Sequence, residues 1–177
     1  MVRVPAKHAL PVFALVALVA TMPARAAHVQ EPTTYKLRYA SDYQHGCLEP
    51  CACPITESAL RGTFDLIPMG REEGIDMFRL AGIEWRVSEG MVRVTGSGEL
   101  RVHDSEPRWQ RLEADLRFDG ESPIHFDSGV VPVTVESPEI DVSIARNGFY
   151  CLDRVFAVRA SPGRGSYGWA QLKAGSR

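Results

Sequence analysis

The run "HGCLEPCACP" (residues 45–54) places Cys47, Cys51 and Cys53 within seven positions, two residues after a histidine. The fourth cysteine, Cys151, stands alone near the other end. Three chemistries fit such a cluster. His45, Cys47, Cys51 and Cys53 offer one nitrogen and three sulfurs to a soft cation, copper or zinc. Structural zinc sites, however, set a second ligand pair at a distance, and here only Cys151 is distant. The proline also follows Cys53, unlike the Cys-x3-Cys-Pro order of exported copper proteins. A redox centre wants Cys-x-x-Cys at a helix N-terminus, and neither spacing here supplies it. The remaining chemistry is a covalent staple, which suits an even number of cysteines in an oxidising compartment. It is the favoured reading, with no metal and no cofactor.

Three pairings of four cysteines exist. A Cys51–Cys53 ring over one residue is strained and ranks last. Cys53–Cys151 with Cys47–Cys51 is favoured, because Cys53 stands nearest a strand expected from about Leu60 and Pro50 can bend "CLEPC" into a closed turn. Cys47–Cys53 with Cys51–Cys151 follows closely.

Elsewhere, "HFDSG" (125–129) contains the Asp-Ser-Gly triplet of aspartic proteases. That chemistry needs two carboxylates sharing a proton, and the chain holds one copy. Asp127 therefore supports only a weak hydrolase reading, and no catalytic residue is assigned. His125 and Asp127 are expected to share the outward face of a strand. The chain has no Gly-x-Ser-x-Gly elbow, His-Glu-x-x-His pair or phosphate-binding glycine loop. Tyr35, Tyr39, Trp85 and Trp109 are expected in the core rather than around a ligand.

The elements that must position these residues are strands. From Tyr35 onward the pattern has period two. Val92, Val94, Gly96, Gly98, Leu100 and Val102 form one face of the clearest run. Leu112, Ala114, Leu116 and Phe118 repeat the scheme, then Ile124 and Phe126. "GSG" at 96–98 marks a bulge or bend. Further strands are expected at Tyr35–Ala40, Leu60–Ile67, Met77–Leu80, Ile83–Val87, Val130–Val135, Ile140–Ile144 and Val155–Arg159. Segments such as "PMGREEG" act as breakers. The expectation is an all-β domain, a single antiparallel β-barrel or β-sandwich of about 8–10 short strands stapled by disulfides, with a slight preference for the barrel.

Residues 1–26 read as a signal peptide: Arg3 and Lys7, an apolar stretch from Ala9 to Met22, then Ala24-x-Ala26. The apolar stretch is short for a bilayer, so no transmembrane segment is expected to remain. The β domain then spans 27–162, and 163–177 is a flexible Gly/Ser-rich tail. The whole chain has 20 basic and 22 acidic residues. The signal peptide carries three of the basic ones, and the rest are scattered, which argues against nucleic acid as a partner.

"GCLEPCACP", "RGTFDLIP", "VRVTGSGELRV" and "HFDSG" together resemble a group of exported bacterial β-rich proteins. These carry a Gly-Cys-x-x-Pro-Cys-x-Cys-Pro motif and a late cysteine beside an aromatic, here Tyr150-Cys151. The resemblance covers about Tyr35 to Pro162. It implies periplasmic or extracellular location and a β fold, and it brings no activity or site residues. The function expected is that of an exported non-enzymatic β domain with a structural, adhesive or small-ligand-binding role; the alternative is a soft-metal protein built on residues 45–53.

Overall fold

The computed structural model describes residues 31–48 and 50–163. The expected signal peptide and, beyond Gly163, the expected tail lie outside the described residues. The strands are β1 (Thr33–Leu37), β2 (Asp42–Cys47), β3 (Ile55–Glu72), β4 (Ile75–Val87), β5 (Arg93–His103), β6 (Trp109–Phe118), β7 (Ile124–Asp127), β8 (Val131–Pro132), β9 (Ile140–Ala145) and β10 (Leu152–Pro162). All pairings are antiparallel. The path β10-β2-β3-β4-β5-β6-β7-β9 returns to β10, so one sheet closes on itself as a barrel.

β1 and β2 share one position in the ring. Both lie between β10 and β3, with Leu37 opposite Ala160 and Asp42 opposite Ala157. Of the four residues between them, Arg38, Tyr39 and Ala40 are exposed. Buried Ser41 mends the ladder there: its hydroxyl donates to the Arg159 carbonyl at 2.8 Å and accepts from the Arg159 amide at 3.1 Å. The weakest link is between β7 and β9, which share the single pair Asp127–Ala145. Gln110 spans that seam from β6, donating from Nε2 to the Asp141 carbonyl of β9 at 2.8 Å.

Several expected boundaries shift for identifiable reasons. Met77–Leu80 and Ile83–Val87 are one strand, β4, interrupted by a register shift at Ala81–Gly82. Two strands are long rather than short: β4 has 13 residues and β3 has 18. β3 runs on through the supposed breaker at Pro68, because β1 stops pairing with it at Leu66 and no ladder bond is lost on that edge. Val130–Val135 shrinks to the two residues of β8.

The inward row read from the alternation is the core. Val94, Leu100, Leu112, Ala114, Leu116, Phe118 and Phe126 are all buried. At the expected bend, a Cβ on Gly96 would lie 2.1 Å from the Asp115 carbonyl oxygen, and one on Gly98 2.4 Å from that of Glu113. Only glycine lets β5 press so closely onto β6, which bends the wall. Inside, Tyr35 stacks on Phe64 at 5.5 Å between ring centroids, Trp85 meets Phe64 at 6.2 Å and Phe156 at 5.6 Å, and Phe156 meets Phe126 at 5.1 Å. Side chains thus fill the middle of the barrel, as expected for a ring of this size. Tyr35 and Trp85 are core residues. Tyr39 is instead 89% exposed beneath the Arg61 guanidinium, and Trp109 stacks on His103 at 5.4 Å.

Candidate functional site

The cysteine cluster sits at one end of the barrel and holds two disulfides, Cys47–Cys53 and Cys51–Cys151. This corrects the favoured pairing, Cys53–Cys151 with Cys47–Cys51. The cause is the β2–β3 hairpin. β3 begins at Ile55 rather than Leu60, and Gly46 lies opposite Ile55, so Cys53 returns to face Cys47. Between them, a turn closed by the Cys51 amide donating to the Leu48 carbonyl at 3.0 Å swings Cys51 toward β10. There the Leu48 amide donates to the Cys151 carbonyl at 2.9 Å. With all four sulfurs bonded to each other, the cluster presents no thiolate. Among the described residues, no group of three or more His, Cys, Asp and Glu is placed to hold a metal ion.

Beside the disulfides, Ile55, Phe149, Tyr150 and Leu152 expose apolar surface. The loop that carries Phe149 and Tyr150 is held from beneath by Asp153, which is 3% exposed. Its carboxylate accepts from the amides of Asn147 at 2.8 Å, Phe149 at 2.9 Å and Arg154 at 2.6 Å. Within this loop Phe149 and Cys151 adopt φ of 63° and 50°, in the left-handed region.

The same end of the barrel opens into a cleft of about 410 Å³. Strand register builds one wall. Arg154, His45 and Thr56 are cross-strand neighbours on β10, β2 and β3, forming the rim. One step deeper lies the row Phe156, Tyr43 and Ser58. Phe118, at the end of β6, closes the floor against Tyr43 and Phe156, each at 5.9 Å. Val87, Glu89, Val92, Asp119 and Glu121 complete the lining. The period-two alternation therefore continues to the mouth, but its inward residues change from apolar to polar.

Several polar groups at the mouth are held in place. The Arg154 guanidinium lies over the Phe118 ring, 5.0 Å from its centroid. Ser58 donates its hydroxyl to Glu89 at 2.7 Å. Asp119 accepts the Arg93 amide at 2.9 Å. Burial pushes the Tyr43 phenol above its ordinary pKa, while the nearby positive charge of Arg154 pulls it back. The arrangement can grip a small molecule by an apolar body and polar ends.

Asp127 lies elsewhere, on the outer wall. Arg111 clasps it with two bonds, Nε to Oδ1 at 3.0 Å and Nη2 to Oδ2 at 2.8 Å, and the Gly129 amide adds a third at 2.8 Å. Chiefly through Arg111, its pKa falls below the ordinary carboxylate value. The neighbouring Glu113 binds the same arginine at 3.0 Å, so the two acids share a cation and not a proton. Ser128 is buried, accepting the Leu112 amide at 2.9 Å and donating to the Gly129 carbonyl at 2.6 Å. The Asp-Ser-Gly triplet ends β7 at the barrel seam. His125 pairs with Asp115 at 3.0 Å on the same outer face, as the alternation predicts.

No family model, curated protein or solved structure matches this chain. Of the sequence candidates, only His45 belongs to the mouth. Tyr43, Ser58, Phe118 and Arg154 carried no chemical motif. The available signal was polar residues at inward positions where strands end.

Proposed function

We propose that this chain is an exported, non-enzymatic binding domain that takes a small ligand at the disulfide-bearing mouth of its β-barrel. The observation that carries the reading is the change along the inward face. Aromatic side chains plug the middle, whereas the rim residues Arg154, His45 and Thr56 and the deeper Ser58 line an open cleft with Tyr43 and Phe118 as its floor. Barrel mouths are common ligand sites, and the cleft volume lies within the range of small-molecule pockets. Export is supported by the basic, apolar and Ala-x-Ala sequence of residues 1–26 and by two disulfides in a small domain. Among the described residues, no helix is long and apolar enough to cross a membrane.

The test is a fragment screen on isotope-labelled protein lacking residues 1–26, read by amide chemical shifts. Binders should perturb Tyr43, His45, Ser58 and Phe118 together. Hits gathered on the outer wall around Asp115 and Asp127 would overturn the proposal.

A further inference from the structure

We infer that the ligand of the mouth is a small zwitterion with an apolar or aromatic body, of the class of α-amino acids and dipeptides. This rests on the reading of the mouth as a binding site. The cleft carries charges of both signs that do not meet. Arg154 lies on β10, Glu89 in the turn after β4, and Asp119 and Glu121 in the turn after β6. Among the described residues none of these four side chains makes a salt bridge, although all line one cleft. Arg93, whose amide holds Asp119, spends its guanidinium on Glu84 at 3.2 Å.

Local contacts hold each charge in place. Stacking on Phe118 fixes the Arg154 guanidinium at the floor's edge, and Ser58 and the Arg93 amide hold Glu89 and Asp119. A guanidinium with unused donors recognises a carboxylate, and its planar fork favours two parallel bonds. Carboxylates with unused lone pairs recognise an ammonium. Between them, Tyr43 and Phe118 present ring surface, where an apolar side chain would displace water. A simple anion would be attracted by Arg154 but repelled by three carboxylates. A simple cation would meet the reverse. A zwitterion satisfies both signs of charge, and a volume of about 410 Å³ suits a molecule of one or two residues.

Four probes of similar body separate the terms: L-phenylalanine, N-acetyl-L-phenylalanine without an ammonium, L-phenylalaninamide without a carboxylate, and neutral benzyl alcohol. Each is titrated into the labelled protein and followed at the mouth amides. L-phenylalanine should bind at least about tenfold tighter than any other probe. Arg154→Gln should weaken L-phenylalanine and the acetylated probe about tenfold and leave the amide within about twofold. Glu89→Gln combined with Glu121→Gln should do the reverse, with unchanged circular dichroism in both variants. Equal affinities for all four probes would overturn the zwitterion and leave the binding mouth standing. No perturbation of Tyr43 or Arg154 by any of the four would overturn both.

Discussion

Tyr43 and Arg154 are coupled through charge, and the coupling can be read by titration. Burial holds the phenol protonated, and Arg154 opposes it. Arg154→Gln should therefore raise the Tyr43 pKa further, observable in the ring-carbon NMR shift of that tyrosine. Because the folded chain keeps this proton longer than the unfolded one, the stability involved is complete below the ordinary value of ~10 and is lost as pH rises through the folded value. Asp127 behaves oppositely. Its lowered pKa contributes stability that is complete above ~4 and lost as pH falls through the folded value. The pair with Arg111 is partly exposed, so Asp127→Asn should cost only about 0.2–1 kcal/mol and keep the fold. Asp153 is a different case. Asp153→Ala would strip the shared acceptor from three backbone amides under the Phe149–Cys151 loop. Leaving a buried donor unpaired costs about 1–3 kcal/mol, so the loss should reach about 2–4 kcal/mol in denaturant melts. A loss equal to that of Asp127→Asn would contradict the anchoring role.

At the scale of the strands, the test is which face is buried. Val94 and Leu116 are fully buried on β5 and β6, directly flanking the Gly96 bend, while Arg93 pairs with Glu84 outside. Val94→Asp or Leu116→Asp should prevent folding, since an unpaired buried charge costs several kcal/mol, comparable to a domain's whole stability. Arg93→Asp and Asp115→Lys should leave the thermal midpoint within a few degrees. If all four melted alike, the inward assignment would be wrong. These faces were legible because β5 and β6 alternate apolar or small residues with polar ones, and in β6 every second residue is buried. β2 was not legible, and the reason is physical. Its inward residues, Tyr43 and His45, sit at the mouth rather than in the core, so the strand shows no apolar alternation. The same omission hid the candidate site and misplaced the disulfides, because the β2–β3 register brings Cys47 to Cys53. β4 was split in two by a bulge at Gly82, which interrupts the period without ending the strand.

For the whole molecule, closure of the ring is uneven, and the two disulfides act at different ranges. Between β7 and β9 the ring depends on one residue pair and the Gln110 side chain. Two ladders away, at the β10–β2 boundary, Cys51–Cys151 ties the β2–β3 turn to the start of β10 across 100 positions, whereas Cys47–Cys53 closes a loop with a separation of 6. In the chain-entropy account, the long link restricts the unfolded chain by about 4.7 kcal/mol and the short one by about 2 kcal/mol. Single cysteine variants leave a reactive partner thiol, so the comparison needs paired substitutions. Cys51→Ser with Cys151→Ser should destabilise more than Cys47→Ser with Cys53→Ser, by about 2–3 kcal/mol in urea melts. The first pair also releases the loop that Asp153 supports, which adds to the difference. Peptide mapping without reduction should find Cys47 joined to Cys53 and Cys51 joined to Cys151, with no free thiol. Recovering Cys47 joined to Cys51 would restore the pairing first favoured from the sequence. Four free thiols with stoichiometric copper or zinc would instead make residues 45–53 a metal site and displace the staple altogether.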